Sequence, residues 1–188
     1  DKYIGDAVMA FYNAPIDIKD HPKCAVRSAL EMLEELKNVN EHLSLMNFPN
    51  LDIGIGINTD EVIIGNIGSI DRFDYSVIGD GVNLASRTES LCKEYMVKII
   101  ITQSTKDKIG DEFLTRKLDE VIVKGKTQKV TMYEVMANSS KNQKIKEFYE
   151  KAYTLYKDNE ITQSKDLLVK CIDKYNDNSS IVLLKKIT

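Results

Sequence analysis

The residue pattern predicts an α+β fold, a mostly antiparallel sheet with helices on one face, continued by a purely helical tail. Two observations carry this. Helical and strand periodicities alternate through residues 1–137, as sheet-plus-helix layers require. All nine glycines and all three prolines fall within residues 1–125, and beyond them only amphipathic stripes remain. The polar joint Asn138-Ser139-Ser140 marks the expected boundary, giving a first unit over 1–137 and a helical extension over 141–188.

Each element has its own signal. Residues 7–12 read as a strand closed by Asn13-Ala14-Pro15. Ala25, Ala29, Met32, Leu33, Leu36 and Val39 recur at helical spacing, predicting a helix from Pro22 to Leu45. Residues 51–57 and 61–67 are β-branched and alternate, and Asn58-Thr59-Asp60 between them suits a hairpin turn. A strand at Lys98-Ile99-Ile100-Ile101 precedes a short helix over 103–109. Two late strands, 117–123 and 130–136, flank Lys124-Gly125-Lys126 as a second hairpin. In the tail, Ile145, Phe148, Tyr149, Ala152, Leu155 and Tyr156 form one stripe; Ile161, Leu167, Leu168, Cys171 and Ile172 form another. A third helix is expected near Ile181.

Bulk composition narrows the function. A chain of 188 residues can bury a core. A net charge of −3 argues against a partner in duplex nucleic acid, which calls for a basic face. No apolar run has the length of a membrane span. Cys24, Cys92 and Cys171 are scattered and odd in number, which fits free, packed thiols in a reducing compartment. The segment is therefore expected in the cytoplasm, with an upstream membrane anchor left open.

The most informative stretch is Ser76-Val77-Ile78-Gly79-Asp80-Gly81-Val82-Asn83-Leu84-Ala85-Ser86-Arg87. It reads as a short extended run, a Gly-flanked turn capped by Asp80, and a helix. Asn83 and Arg87 are four apart and share one helical face. An amide beside a guanidinium suits a ribose and a phosphate. The opening Lys2-Tyr3-Ile4-Gly5-Asp6-Ala7-Val8-Met9-Ala10 places a carboxylate after a glycine at a strand end, where its oxygens suit a hard cation.

Together these two stretches resemble the class III nucleotidyl cyclases, which make cyclic AMP or cyclic GMP from the triphosphate. The resemblance covers residues 1–136 and implies a ferredoxin-like α+β fold whose first strand and helix precede residue 1. It implies that Asp6 is the second of two metal-binding aspartates, holding Mg²⁺ or Mn²⁺ in a two-ion site. The first aspartate of the family lies in a Phe-x-Asp-Ile motif that does not occur here, so residues 1–188 alone are expected to be inactive. Arg87 is implied at the α-phosphate, Asn83 at the ribose, and Lys124 at the terminal phosphates. Lys2 and Ser76 are implied at the base. A donor-only lysine facing N1 and a hydroxyl accepting from N6 favour adenine, whereas guanylate-type members carry Glu and Cys there.

Lys2 and Asp6 are four residues apart yet would serve opposite ends of one nucleotide. The family resolves this with a head-to-tail dimer, and since all these residue types occur in one chain, a homodimer with shared sites is expected. The expected activity is thus an adenylate cyclase acting on ATP. A guanylate cyclase and a catalytically silent, nucleotide-sensing or dimerising module are the alternatives. The tail carries a weaker, tetratricopeptide-like resemblance through Ser164, Leu168 and Cys171, which implies a protein partner.

Overall fold

Ile99, Ile100 and Ile101 are fully buried on one strand, and their alternation sets the architecture. Ile99 and Ile101 enter one core cluster and Ile100 enters another, on opposite sides of the sheet. A computed structural model describes residues 1–69, 72–122 and 129–188, with backbone alone at 69, 72 and 73.

The order along the chain is β1 (Lys2–Ile4), β2 (Ala7–Met9), α1 (His21–Leu45), β3 (Ile55–Ile57), β4 (Ile63–Ser69), β5 (Arg72–Ile78) and α2 (Asp80–Tyr95). Then come β6 (Ile99–Thr102), α3 (Gln103–Ile109), β7 (Leu114–Ile122), β8 (Lys129–Met136), α4 (Ser140–Lys157), α5 (Ile161–Tyr175) and α6 (Asn178–Lys186). The main sheet has the order β3-β6-β8-β7, and β1-β2 and β4-β5 form two separate hairpins.

The α+β class and the long first helix agree with expectation. Three local expectations do not. Residues 51–57 and 61–67 are not a hairpin: β3 pairs in parallel with β6, and β4 pairs antiparallel with β5. The turn-forming Asn58 is spent on side-chain ties instead. Its Nδ2 donates to the Gly81 carbonyl at 3.0 Å, and its Oδ1 accepts from Thr102 Oγ1 at 2.7 Å. The opening is a hairpin rather than one strand over 7–12, with Gly5 at φ 65° and Asp6 as its two turn residues. A glycine of positive φ at the first turn position is what a type II′ hairpin turn requires. Finally, helices cover both faces: Val26 and Ala29 of α1 with Ile109 of α3 on one side, Leu84, Cys92 and Tyr95 of α2 with the tail on the other.

The tail is built into this second core. Tyr149, Ala152 and Tyr153 of α4, Leu168 of α5 and Leu183 of α6 share a cluster with α2 and the sheet. Ser139 caps α4, its Oγ accepting from the Asn142 amide at 3.1 Å. Ser164 lies against α4 and donates to the Ala152 carbonyl at 2.8 Å, with Leu168 and Cys171 fully buried beside it on α5. The third helix begins a little earlier than expected, at Asn178, capped by Asp177. All three cysteines are free, and burial pushes the Cys92 thiol up to about 11, as befits a packing residue.

Two polar clusters fasten the tail to the sheet. Arg116 on β7 is 1% exposed and reaches Glu134 of β8. It also donates to Asp177 Oδ2 at 2.7 Å and Ser179 Oγ at 2.9 Å, with its guanidinium 4.5 Å above the Tyr149 ring. Burial works against the Arg116 charge, but the facing carboxylates of Glu134 and Asp177 outweigh it. Asp119 accepts from the hydroxyls of Tyr95 and Tyr153, each at 3.0 Å, and pairs with Lys186.

Removing one partner of a buried charge leaves the other uncompensated. Asp177→Ala should therefore destabilise the domain by about 3 kcal/mol in urea unfolding, since Glu134 remains. Glu34→Ala, which breaks the exposed pair with Lys37, should cost under about 1 kcal/mol.

Burial raises the Asp119 carboxyl, yet the bonds from Lys186 and the Glu120 amide outweigh it, so its pKa lies below the usual value. A carboxylate depressed in the folded state adds stability that is fully present above the unfolded value and lost as pH falls through the folded one. Thermal stability should therefore drop as pH falls below about 4. Asp119→Asn should flatten that acid limb.

Candidate active site

The helix α2 owes its position to a missing side chain beneath it. A Cβ on Gly56 of β3 would lie 2.1 Å from the Glu89 amide nitrogen and 2.4 Å from the Ala85 carbonyl oxygen. Only glycine lets the helix backbone rest on the strand at that distance. Leu84, Thr88, Cys92 and Tyr95 face inward, and Asn83 and Arg87 stand on the exposed side one turn apart. The N-cap is Gly79, not Asp80; Asp80 is the first helical residue, where its charge complements the helix dipole. Among the described residues, neither the Asn83 nor the Arg87 side chain has a hydrogen bond or ion pair, so both are available to a ligand.

Lys2 and Ser76 are brought together from opposite parts of the sequence. Ser76 sits on β5 opposite Gly65 of β4, and is 4% exposed. Its Oγ donates to Asp1 Oδ2 at 2.7 Å, and Lys2 Nζ lies 3.9 Å from the same oxygen. No local signal marks Asp1 in the sequence, because its role arises from the approach of two strands that are distant along the chain.

Asp6 occupies the exposed turn of the β1-β2 hairpin. Lys2 lies at the other end of that hairpin, opposite Met9. Among the described residues, no three acidic, histidine or cysteine side chains converge as a metal cluster. Asp6 is thus a hard oxygen donor of the kind Mg²⁺ takes, but a single one. Lys124 and Lys126 lie outside the described residues, as does the side chain of Arg72. Among the described residues, no helix is long and apolar enough to cross a membrane.

Outward apolar residues cluster on the two small hairpins. Tyr3 (82% exposed), Ile4 and Val8 stand on β1 and β2, and Ile63 (70%), Tyr75 and Ile78 stand on β4 and β5. Uncovered apolar side chains of this kind suit a contact, whether with a second copy or with further chain.

Comparison with known proteins places the chain in a family. The family model described as the adenylate and guanylate cyclase catalytic domain matches residues 2–137. A terminal-differentiation-specific adenylate cyclase of Dictyostelium discoideum is 42% identical over 165 residues, covering 84% of this chain and 8% of that protein. An adenylate cyclase of Anabaena cylindrica is 38% identical over 144 residues, 73% of this chain and 28% of its own length. The chain thus spans under a third of either relative. Among solved structures, the adenylyl cyclase CyaB from P. aeruginosa superposes with a TM-score of 0.67 at 32% identity, covering 74% of this chain and 72% of that one.

Gly56→Ala tests the seat of α2. A methyl group there meets helix backbone, which cannot rotate away, and overpacking of this kind costs about 1–3 kcal/mol. Unfolding should show that loss, and ligand binding at Asn83 and Arg87 should weaken with it.

Proposed function

The chain belongs to the adenylate and guanylate cyclase catalytic domain family, and on that footing we propose that the full-length protein is an adenylate cyclase. It closes the ribose 3′-oxygen of ATP onto the α-phosphorus and releases pyrophosphate, supplying cyclic AMP as an intracellular signal. The observation that carries the choice of base is the pairing of Lys2 and Ser76 around one carboxylate. A donor-only ammonium suits adenine N1, and a hydroxyl with free lone pairs suits the N6 amine. Guanine reverses both positions.

The remaining groups divide the work. Arg87 presents a permanently charged fork to the α-phosphate as its negative charge grows in the transition state. Asn83 orients the ribose, so that the 3′-hydroxyl lies in line with the bond that breaks. Lys124 neutralises the terminal phosphates. Asp6 would hold a divalent ion, Mg²⁺ or Mn²⁺, which when bound lowers the pKa of the 3′-hydroxyl and screens the phosphates. With Asp6 as its one matched metal ligand, the polypeptide 1–188 turns over no ATP on its own.

Two copies share each site. Lys2 and the hairpin turn stand at opposite ends of a strand of three residues, about 10 Å, which is short for one copy to hold both the base and the metal. The exposed apolar residues of the β1-β2 and β4-β5 hairpins are the surface the two copies bury. Each site takes Asp6 from one copy and Lys2, Ser76, Asn83, Arg87 and Lys124 from the other. The tail, joined to the core next to α2, is the part through which a protein partner would act on the site.

The test is complementation in the full-length protein. Asp6→Ala and Arg87→Ala homodimers should each lose about a hundredfold or more in cyclic AMP production. Mixed in equal amounts they should recover roughly a quarter of wild-type activity, since half the dimers then carry one intact site of two. Wild-type protein that makes no cyclic AMP from ATP overturns the activity. Wild-type activity without recovery on mixing overturns the shared site.

A further inference from the structure

A serine hydroxyl is a poor judge of purines on its own. It can accept from the N6 amine of adenine and can equally turn its proton toward the O6 carbonyl of guanine. The structure supplies what removes the second option. Ser76 Oγ donates at 2.7 Å to Asp1 Oδ2, and the Asp1 side chain is 2% exposed. A carboxylate accepts and does not donate, and a hydroxyl-to-carboxylate bond of this length is charge-assisted. The bond is part-buried, and the Asp1 side chain is shielded although its backbone is exposed, so water competes little for the proton. The hydroxyl is held with its proton toward Asp1, which leaves its lone pairs as what it can offer a ligand.

Resting on the adenylate cyclase reading, we propose that Asp1 is a specificity-positioning residue, one that fixes Ser76 as an acceptor-only group and so excludes guanine. Lys2 Nζ, 3.9 Å from the same carboxylate oxygen, is the second base-reading group. One carboxylate therefore sets the direction of the hydroxyl and borders the ammonium. Guanine in this site meets two mismatches: its O6 faces the Ser76 lone pairs, and its N1–H faces the Lys2 donors. For Ser76 to serve guanine, its proton must leave Asp1 and strand a buried carboxylate without its bond, a costly exchange. Asp1 need not touch the nucleotide. It acts by deciding which way a neighbour's proton points.

The experiment measures kcat/KM for ATP and for GTP in the full-length protein with wild type, Asp1→Ala, Asp1→Asn, Ser76→Ala and the Asp1→Ala/Ser76→Ala double variant. Asp1→Ala should lower the ATP-to-GTP ratio roughly tenfold, chiefly through a lower KM for GTP. In the Ser76→Ala background the same change should leave the ratio where it stands, because the proton it governs is gone. Asp1→Asn is isosteric and tests the idea should the alanine variant fold poorly. Its amide can donate to Ser76 and free the hydroxyl proton, so the ratio should fall here too. Equal losses toward ATP and GTP in both variants would assign Asp1 a structural role only and overturn the proposal. A wild-type protein without cyclic AMP production would overturn the underlying reading instead, and the proposal with it.

Discussion

Arg116 is the constraint on which the arrangement of the chain rests. Its guanidinium lies inside the protein, 1% exposed, with donors directed to Glu134, Asp177 and Ser179. A buried cation must have its partners, because the medium around it offers nothing in their place. Asp177 and Ser179 both come from the tail, at the start of α6. The tail therefore cannot leave the sheet without stranding a charge. The helical tail is held to the sheet by this charge cluster.

That coupling extends toward the site. Ser179, held by Arg116, also donates to the Tyr95 carbonyl at 3.1 Å, at the last residue of α2. Tyr95 in turn donates to Asp119, which Lys186 of α6 also pairs with. One end of α2 is thus tied to the tail, while its middle rests on Gly56 of β3. Asn83 and Arg87 project from the opposite face of this same helix. Their direction is inherited from contacts made on the buried side, several of them through the tail. A rigid element that carries reactive groups on one face and is fixed from the other is how a site keeps its geometry without lending its own side chains to structure.

Local chemistry was legible in the sequence and strand pairing was not. The helix over 21–45 announces itself by its apolar spacing, and the string from Asn83 to Arg87 gives both the helix and its exposed pair. Pairing partners are set by contacts across dozens of residues. Asn58-Thr59-Asp60 has the composition of a turn, yet β3 finds its neighbour in the distant β6, with Ile55 opposite Ile99. No local pattern announces that register. The same blindness hid Asp1, whose neighbour Ser76 is 75 positions along the chain. The helices on both faces of the sheet follow from Ile99, Ile100 and Ile101 all being buried, a run that a one-sided sheet would have interrupted with a polar residue.

The site's chemistry sets one further requirement on geometry. The proposed substrate, a nucleotide, places its base and its phosphates at opposite ends of a ribose, and the groups proposed for each end lie on separate parts of this chain. Lys2 and Ser76 converge across the seam between β1 and β5, while Asn83 and Arg87 stand on α2. Asp6, the oxygen donor, is carried away from Lys2 on the turn of its own hairpin, which is short and exposed. In the proposed reading the base reader at the root of this hairpin and the metal donor at its tip lie about 10 Å apart, a short span for one copy to hold both ends of a nucleotide. In the proposed homodimer, a second copy related by a two-fold axis would bring its own tip toward the first copy's root and offer the converse in return. The uncovered Tyr3, Ile4 and Val8 lie on that very hairpin, so the surface that would be buried and the groups that would be shared belong to one element.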